Sequence, residues 1–186
     1  VIFTFMIAYF FLNDALATTI AMMAPYASTI VGFSAGEFIL LYLVSTVSSI
    51  IGSFIFGYIT KSVGAYRAIR YVSLLLLVAL IIGTFAVNAW MFWIAGSMFG
   101  IALGSMWVTS RTYIVELTPE DKRGQFFGLF AFSGKVSSII GPFIFGTITY
   151  LLASHGSIAS RFGMGSLIVL TLVGLFFLNR IKPEEN

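Results

Sequence analysis

Three ionisable residues, Asp14, Arg111 and Lys135, stand deep inside apolar stretches of this 186-residue chain. A charge at the centre of a spanning helix costs about 2.5–3.5 kcal/mol on insertion scales. Each should therefore be paired or face water, and each is a functional candidate by default. Asp14 and Lys135 each lie roughly eleven residues from a helix end, which at about 1.5 Å per residue brings both near the midplane. Opposite charges at matching depth form a carboxylate–ammonium pair, with Asn13, Thr18, Ser133 and Ser137 as polar neighbours. That pair is either a static bridge tying two helices together or a site for which a proton or zwitterionic substrate competes. Arg111 is close enough to a helix end to snorkel to the headgroups, with contact to an anion or substrate as the alternative. Glu116 sits at that same end, facing basic residues that include Lys61, Arg67 and Arg70, and with Arg123 these form a candidate cytoplasmic gate of ion pairs. His155 lies in a loop and reads as solvated, a proton-sensing role being the alternative.

Nothing in this set makes covalent chemistry. There is no GxSxG, HExxH or P-loop, and a single His cannot build a metal site. The expectation is no enzyme and no cofactor.

The elements that position these residues must cross a membrane. Ten Lys/Arg and seven Asp/Glu make up 9% of the chain, against about 25% in soluble domains. With 59% hydrophobic residues, a soluble enzyme, a nucleic-acid module and a disordered segment are all excluded. A net charge of +3 is too scattered for a basic face, so no nucleic-acid partner is expected. The absence of cysteine removes disulfides and thiolate metal sites. The chain begins at Val1 rather than Met and is already apolar there, which suggests an excerpt from a longer parent.

The longest uncharged run, Tyr71 to Ser110, would be about 60 Å long as one helix and must fold back, with Asn88 at the bend. Charges and breakers predict six helices over 2–24, 37–60, 69–87, 90–117, 124–152 and 162–179. Pro25 is expected to end the first and Glu37 to open the second. Lys61, Arg67, Arg70, Lys122, Arg123, Arg180 and Lys182 then fall on one side, with Arg161 alone in a loop on the other. This bias places both termini in the cytoplasm. Glu184 and Glu185 read as a solvated end.

Residues 48–60, SSIIGSFIFGYIT, match 137–149, SSIIGPFIFGTIT, at eleven of thirteen positions with an offset of 89. The second helix is thereby superimposed on the fifth, so one domain over 1–186 divides into repeats of about 1–88 and 89–186. Three helices per repeat invert the second relative to the first, an arrangement typical of secondary transporters. Gly96, Gly100 and Gly104 form GxxxGxxxG, and Gly52, Gly57, Gly141 and Gly146 extend the small-residue pattern, for close helix packing or a substrate groove. Pro142 is expected to bend the fifth helix.

These features resemble the major facilitator superfamily, in which twelve helices form two six-helix halves. The segment Gly57-Tyr-Ile-Thr-Lys61-Ser-Val-Gly64-Ala-Tyr-Arg67 resembles the superfamily's GxLaDrfGrkR loop, with Lys61 in the aspartate position and Ser62 in the following arginine position. That departure implies the C-terminal half. Glu116…Pro119…Arg123-Gly124 is also similar to the superfamily. A narrower resemblance, to the autophagy-related vacuole effluxers and their bacterial relatives, rests on Asn13-Asp14, Ser110-Arg111, Phe126-Phe127-Gly128, Ser133-Gly134-Lys135, Gly141-Pro142, Phe145-Gly146 and Gly156-Ser157…Arg161. It implies cavity-lining positions for Asp14, Thr18, Trp107 and Arg111, with Lys135 beside them, and amino-acid export as the activity of the yeast members.

The sequence therefore predicts an all-α, multi-pass membrane protein of six spanning helices, in a bacterial inner membrane or a vacuolar membrane. Its expected function is that of half a secondary transporter for small solutes, amino acids leading, with Asp14 and Lys135 in coupling or substrate recognition and a proton as candidate coupling ion. Expected partners are the bilayer, a substrate and a second six-helix half, from the same parent chain or a homodimer mate. The alternative is a non-transporting scaffold that assembles through its GxxxG face.

Overall fold

The computed structural model describes residues 1–182, so Glu184 and Glu185 lie outside the described residues. Within them are six helices long and apolar enough to cross a membrane. They are α1 (Ile2–Val31), α2 (Ala35–Val63), α3 (Ala65–Thr84), α4 (Ala89–Leu117), α5 (Arg123–Leu151) and α6 (Ser157–Asn179). Short 3-10 turns over 120–122 and 153–155 flank α5. The chain is an integral multi-pass membrane protein.

Several ends differ from expectation. Pro25 does not stop α1, which runs on to Val31 and ends at Gly32 in the left-handed conformation (φ 69°) that glycine adopts without strain. Tertiary contacts hold the extra turns: buried Tyr26 donates to the carbonyls of Gly83 (2.8 Å) and Thr84 (3.2 Å), and Phe33 packs on Phe92. Glu37 is the third residue of α2, not its first. Its carboxylate accepts from the Ser34 N–H while the Ser34 hydroxyl accepts from the Glu37 N–H, a capping box. Asn88 caps α4 by accepting from the Met91 N–H (3.1 Å), in keeping with the predicted bend. Arg161 belongs to α6 and not to a loop, because that helix starts at Ser157 immediately after Gly156. Its guanidinium donates to the Thr84 carbonyl (2.8 Å) and satisfies an end of α3.

The core forms where α1 packs on α5 and α6, α4 packs on α2 and α3, and α3 meets α6. Phe5, Leu12 and Leu16 of α1, Leu76 and Leu80 of α3, Phe92 and Met106 of α4 and Met164 of α6 are fully buried there. The two flanking helices bury little. In α2 the buried residues are Leu41, Gly52 and Thr60; in α5 they are Phe130, Ser137, Gly141 and Phe145. Apolar side chains such as Phe54, Tyr58, Ile139 and Phe143 point outward, as expected of a surface bathed in lipid or covered by another membrane segment.

Candidate functional site

Two neighbouring features hold Asn13, Asp14, Thr18 and Trp107 of the predicted residues: a polar seam between α1 and α5, and a cavity among α1, α2 and α4. The seam starts from adjacent residues of α1. Asn13 donates its amide to the Gly134 carbonyl (2.9 Å) and to the Ser137 hydroxyl (2.8 Å), and its own carbonyl accepts from Tyr9 (3.3 Å). Asp14 is fully buried. Its Oδ1 accepts from the Gly141 backbone N–H (2.8 Å) and from Thr18 (3.3 Å), which is one turn away and equally buried. Its Oδ2 is buried without a hydrogen-bond partner.

Lys135 does not pair with Asp14. Among the described residues the one ion pair within contact distance is Arg123–Glu120 (3.5 Å), on the surface. The reason is helical register. Gly134, Ser137 and Gly141, spaced i, i+3 and i+7, face α1, whereas Lys135 lies about 100° around the helix and is exposed. Gly141, which does reach Asp14, is six residues further on, about 9 Å along the axis. Counting residues from each helix end fixes neither the offset between the two helices nor which way a side chain faces.

The cavity has a volume of about 260 Å³. Met23, Phe38 and Tyr42 supply apolar and aromatic wall, Thr19 and Ser45 supply hydroxyls, and Trp107 stands at the edge. These hydroxyls already donate to helix carbonyls, Thr19 to Ala15 (2.7 Å) and Ser45 to Gly96 (2.8 Å), so toward the cavity they offer acceptor lone pairs. Trp107 is half exposed, and the Arg111 guanidinium lies 5.7 Å from its ring centroid. The pair joins a flat apolar face to a cation one turn away.

The glycine stripe of α4 serves packing. A methyl group on Gly96 would meet Leu41, one on Gly100 would strike the Ser45 carbonyl, and one on Gly104 would strike the Ser49 carbonyl. Gly52 is equally tight, 2.9 Å from the Ile101 backbone for an added methyl, and its carbonyl accepts from Ser105 (3.2 Å). Gly57 and Gly146 differ from their expected role: a methyl added at either would meet no other helix within 4 Å.

The gate cluster does not assemble. Lys61, Arg67 and Glu116 are exposed and make no ion pair among the described residues, and Arg123 pairs with Glu120 one helical turn away. A local partner on the same turn needs no second helix to approach, which explains Arg123. Sequence reasoning missed Tyr9 and Tyr26 and gave Arg161 a loop position with no helix-end role. Placing a helix end at Pro25 hid Tyr26, and starting the last helix at 162 hid Arg161; its isolation as the one basic residue on its side was the available signal.

Against known proteins, the family described as "Vacuole effluxer Atg22 like" matches residues 1–185. An "Uncharacterized MFS-type transporter YxiO" of Bacillus subtilis is 28% identical over 99% of this chain and 41% of its own length. "Autophagy-related protein 22" of Candida glabrata is 28% identical over 94% of this chain and 34% of its own, and that of Coccidioides immitis is 26% identical over 89% and 30%. The chain thus spans less than half the length of these relatives.

Proposed function

The chain belongs to the vacuole effluxer Atg22-like family, and from that premise we propose that it forms one half of a secondary transporter moving small solutes by alternating access. Amino acids are the leading substrate class. The observation that carries the reading is the cavity among α1, α2 and α4, in which apolar wall meets hydroxyl acceptors and ends at Trp107 with Arg111 beside it. A solute with an apolar body suits the wall, an ammonium suits the hydroxyl oxygens, and a carboxylate suits the guanidinium.

The inverted three-plus-three arrangement draws support from packing. Leu41 and Phe130, and Gly52 and Gly141, are buried counterparts 89 residues apart, while α1 with α5 and α6 mirrors α4 with α2 and α3. Both termini are assigned to the cytoplasm from the basic-residue bias. The outward apolar faces of α2 and α5 would receive the second half, from the same parent chain, with a homodimer mate as the other source. Asp14 and Lys135 remain the coupling candidates, acting separately and not as a pair, and a proton is the candidate ion. Lys61, Arg67 and Glu116 would find partners in another conformation or on the second half. The scaffold alternative loses its main support, because Gly96, Gly100 and Gly104 are already covered by α2.

The test is flux of each of the twenty amino acids through proteoliposomes holding the intact protein. Saturable flux of at least one, weakened by Asp14→Asn, Arg111→Met and Trp107→Ala, is expected. Folded protein that moves none of them overturns the substrate class, and wild-type flux in Asp14→Asn and Lys135→Met removes their coupling role.

A further inference from the structure

Asp14 is fully buried with no cation beside it, and its shorter bond is to a piece of backbone, the Thr18 hydroxyl on its own helix being the longer one. Here Oδ1 takes the N–H of Gly141, the residue immediately before Pro142. Pro142 has no N–H and crowds the carbonyl of Ser138, so the helical ladder of α5 is already interrupted at this point. Three further facts focus on the same spot. Gly141 has no side chain to hold it, and a methyl there would strike Thr18 and Asp14 Oδ1. Asn13 holds the Gly134 carbonyl about two turns back along α5. Asp14 Oδ2 has open lone pairs and no partner.

We infer that Asp14 is a positioning residue that latches α5 to α1 through the Gly141 amide, at the place where Pro142 leaves α5 free to bend. An N–H to an ionised carboxylate is a strong, short bond, and one to a neutral carboxylic acid is weaker. A proton taken up at Oδ2 makes the neutral acid, or a cation there draws charge away from Oδ1; either weakens the bond to Gly141 and lets α5 pivot against α1, while Asn13 keeps the other end attached. Among the described residues no charged group competes at ion-pair distance: Arg111 on α4, Lys135 on α5 and Arg161 and Arg180 on or next to α6 all lie elsewhere.

The purpose of the latch rests on the transporter reading, but its test needs no substrate. Failure of the latch leaves that reading standing, and absence of flux leaves the latch standing. The intact protein is labelled with [15N]glycine in lipid nanodiscs, and the Gly141 amide is followed against Gly52 and Gly146. In the wild type, Gly141 should resonate downfield and exchange slowly with solvent. Asp14→Leu should move it upfield and speed its exchange about ten- to hundredfold, the loss of one hydrogen bond to a charged group. Asp14→Asn, which keeps an acceptor without the charge, should fall between. Lys135→Met should leave the amide unchanged, and Pro142→Ala should shrink the effect of Asp14→Leu by closing the ladder. An unmoved Gly141 amide in Asp14→Leu overturns the latch. So does an equal change at Gly52 and Gly146, which marks general loosening. If Asp14→Leu does not fold, Asp14→Asn decides: a Gly141 amide identical to wild type overturns the proposal.

Discussion

The two flanking helices occupy matching places in the fold and are held by different physics. On α2 the contact with α4 is mainly close backbone approach: Gly100 and Gly104 lie against the Ser45 and Ser49 carbonyls and Gly52 against the Ile101 main chain, with Gly96 against Leu41 and two hydroxyl bonds, Ser45 to Gly96 and Ser105 to Gly52, beside them. On α5 the contact with α1 is made by side chains reaching for backbone, Asn13 to Gly134 and Asp14 to Gly141. Backbone contact gains dispersion and offers no alternative state. A side-chain bond can be made or released without moving the helix axis first. One seam is closed mainly by shape and the other mainly by polar bonds.

The sharpest way to break that comparison is to add a methyl to each seam. Gly100→Ala places a carbon against the Ser45 carbonyl, which only a helix displacement can relieve. We expect it to cost about 3 kcal/mol or more, read as loss of folded protein in a denaturant titration. Gly141→Ala has the Thr18 and Asp14 side chains as its nearest obstacles, and about 1–3 kcal/mol is expected. The decisive measurement is rescue. Thr18→Ala in the Gly141→Ala background should recover part of the loss, whereas Ser45→Ala should recover little beside Gly100→Ala, because the clash there is with main chain. Equal rescue would erase the distinction between the seams.

Much of this was legible beforehand. Six helices, the polar dipeptide Asn13-Asp14, the 89-residue offset and the packing value of GxxxGxxxG all follow from composition and period. The partner of Asp14 did not, since depth comes from counting residues but facing depends on register between two helices far apart in sequence. Gly57 and Gly146 were read as packing glycines together with Gly52 and Gly141, because composition cannot say which side of a helix is covered. Pro25 marked a helix end on local grounds alone; the Tyr26 bonds to Gly83 and Thr84 carry α1 past it.

A smaller effect separates the seams by their polar bonds. Ser105 donates to the Gly52 carbonyl (3.2 Å) and is the counterpart on α4 of the Asp14 contact on α1. Ser105→Ala should cost about 0.6 kcal/mol, the average for hydrogen bonds between membrane helices. Its glycine scaffold remains intact, so unfolding should shift slightly with no change in α2 amide exchange. Asp14→Leu should expose α5 selectively. Loss of protection in α2 after Ser105→Ala would show that its seam also depends on a side-chain bond.

The smallest effect is expected at Gly57 and Gly146, which share the 89-residue offset and the open space around them. In this six-helix chain alone, alanine at either should change stability by about 0.5 kcal/mol or less, since no atom is met and alanine favours a helix. The same positions become informative when enlarged. If the outward faces of α2 and α5 seat a second half, Gly57→Leu and Gly146→Leu should leave the isolated chain folded and weaken the intact protein, because close approach of helices at small residues would be blocked. Equal tolerance in both settings would mean that those faces meet lipid. Equal damage in both would mean that each glycine supports its own helix, and the two flanks would then be alike where the seams behind them are not.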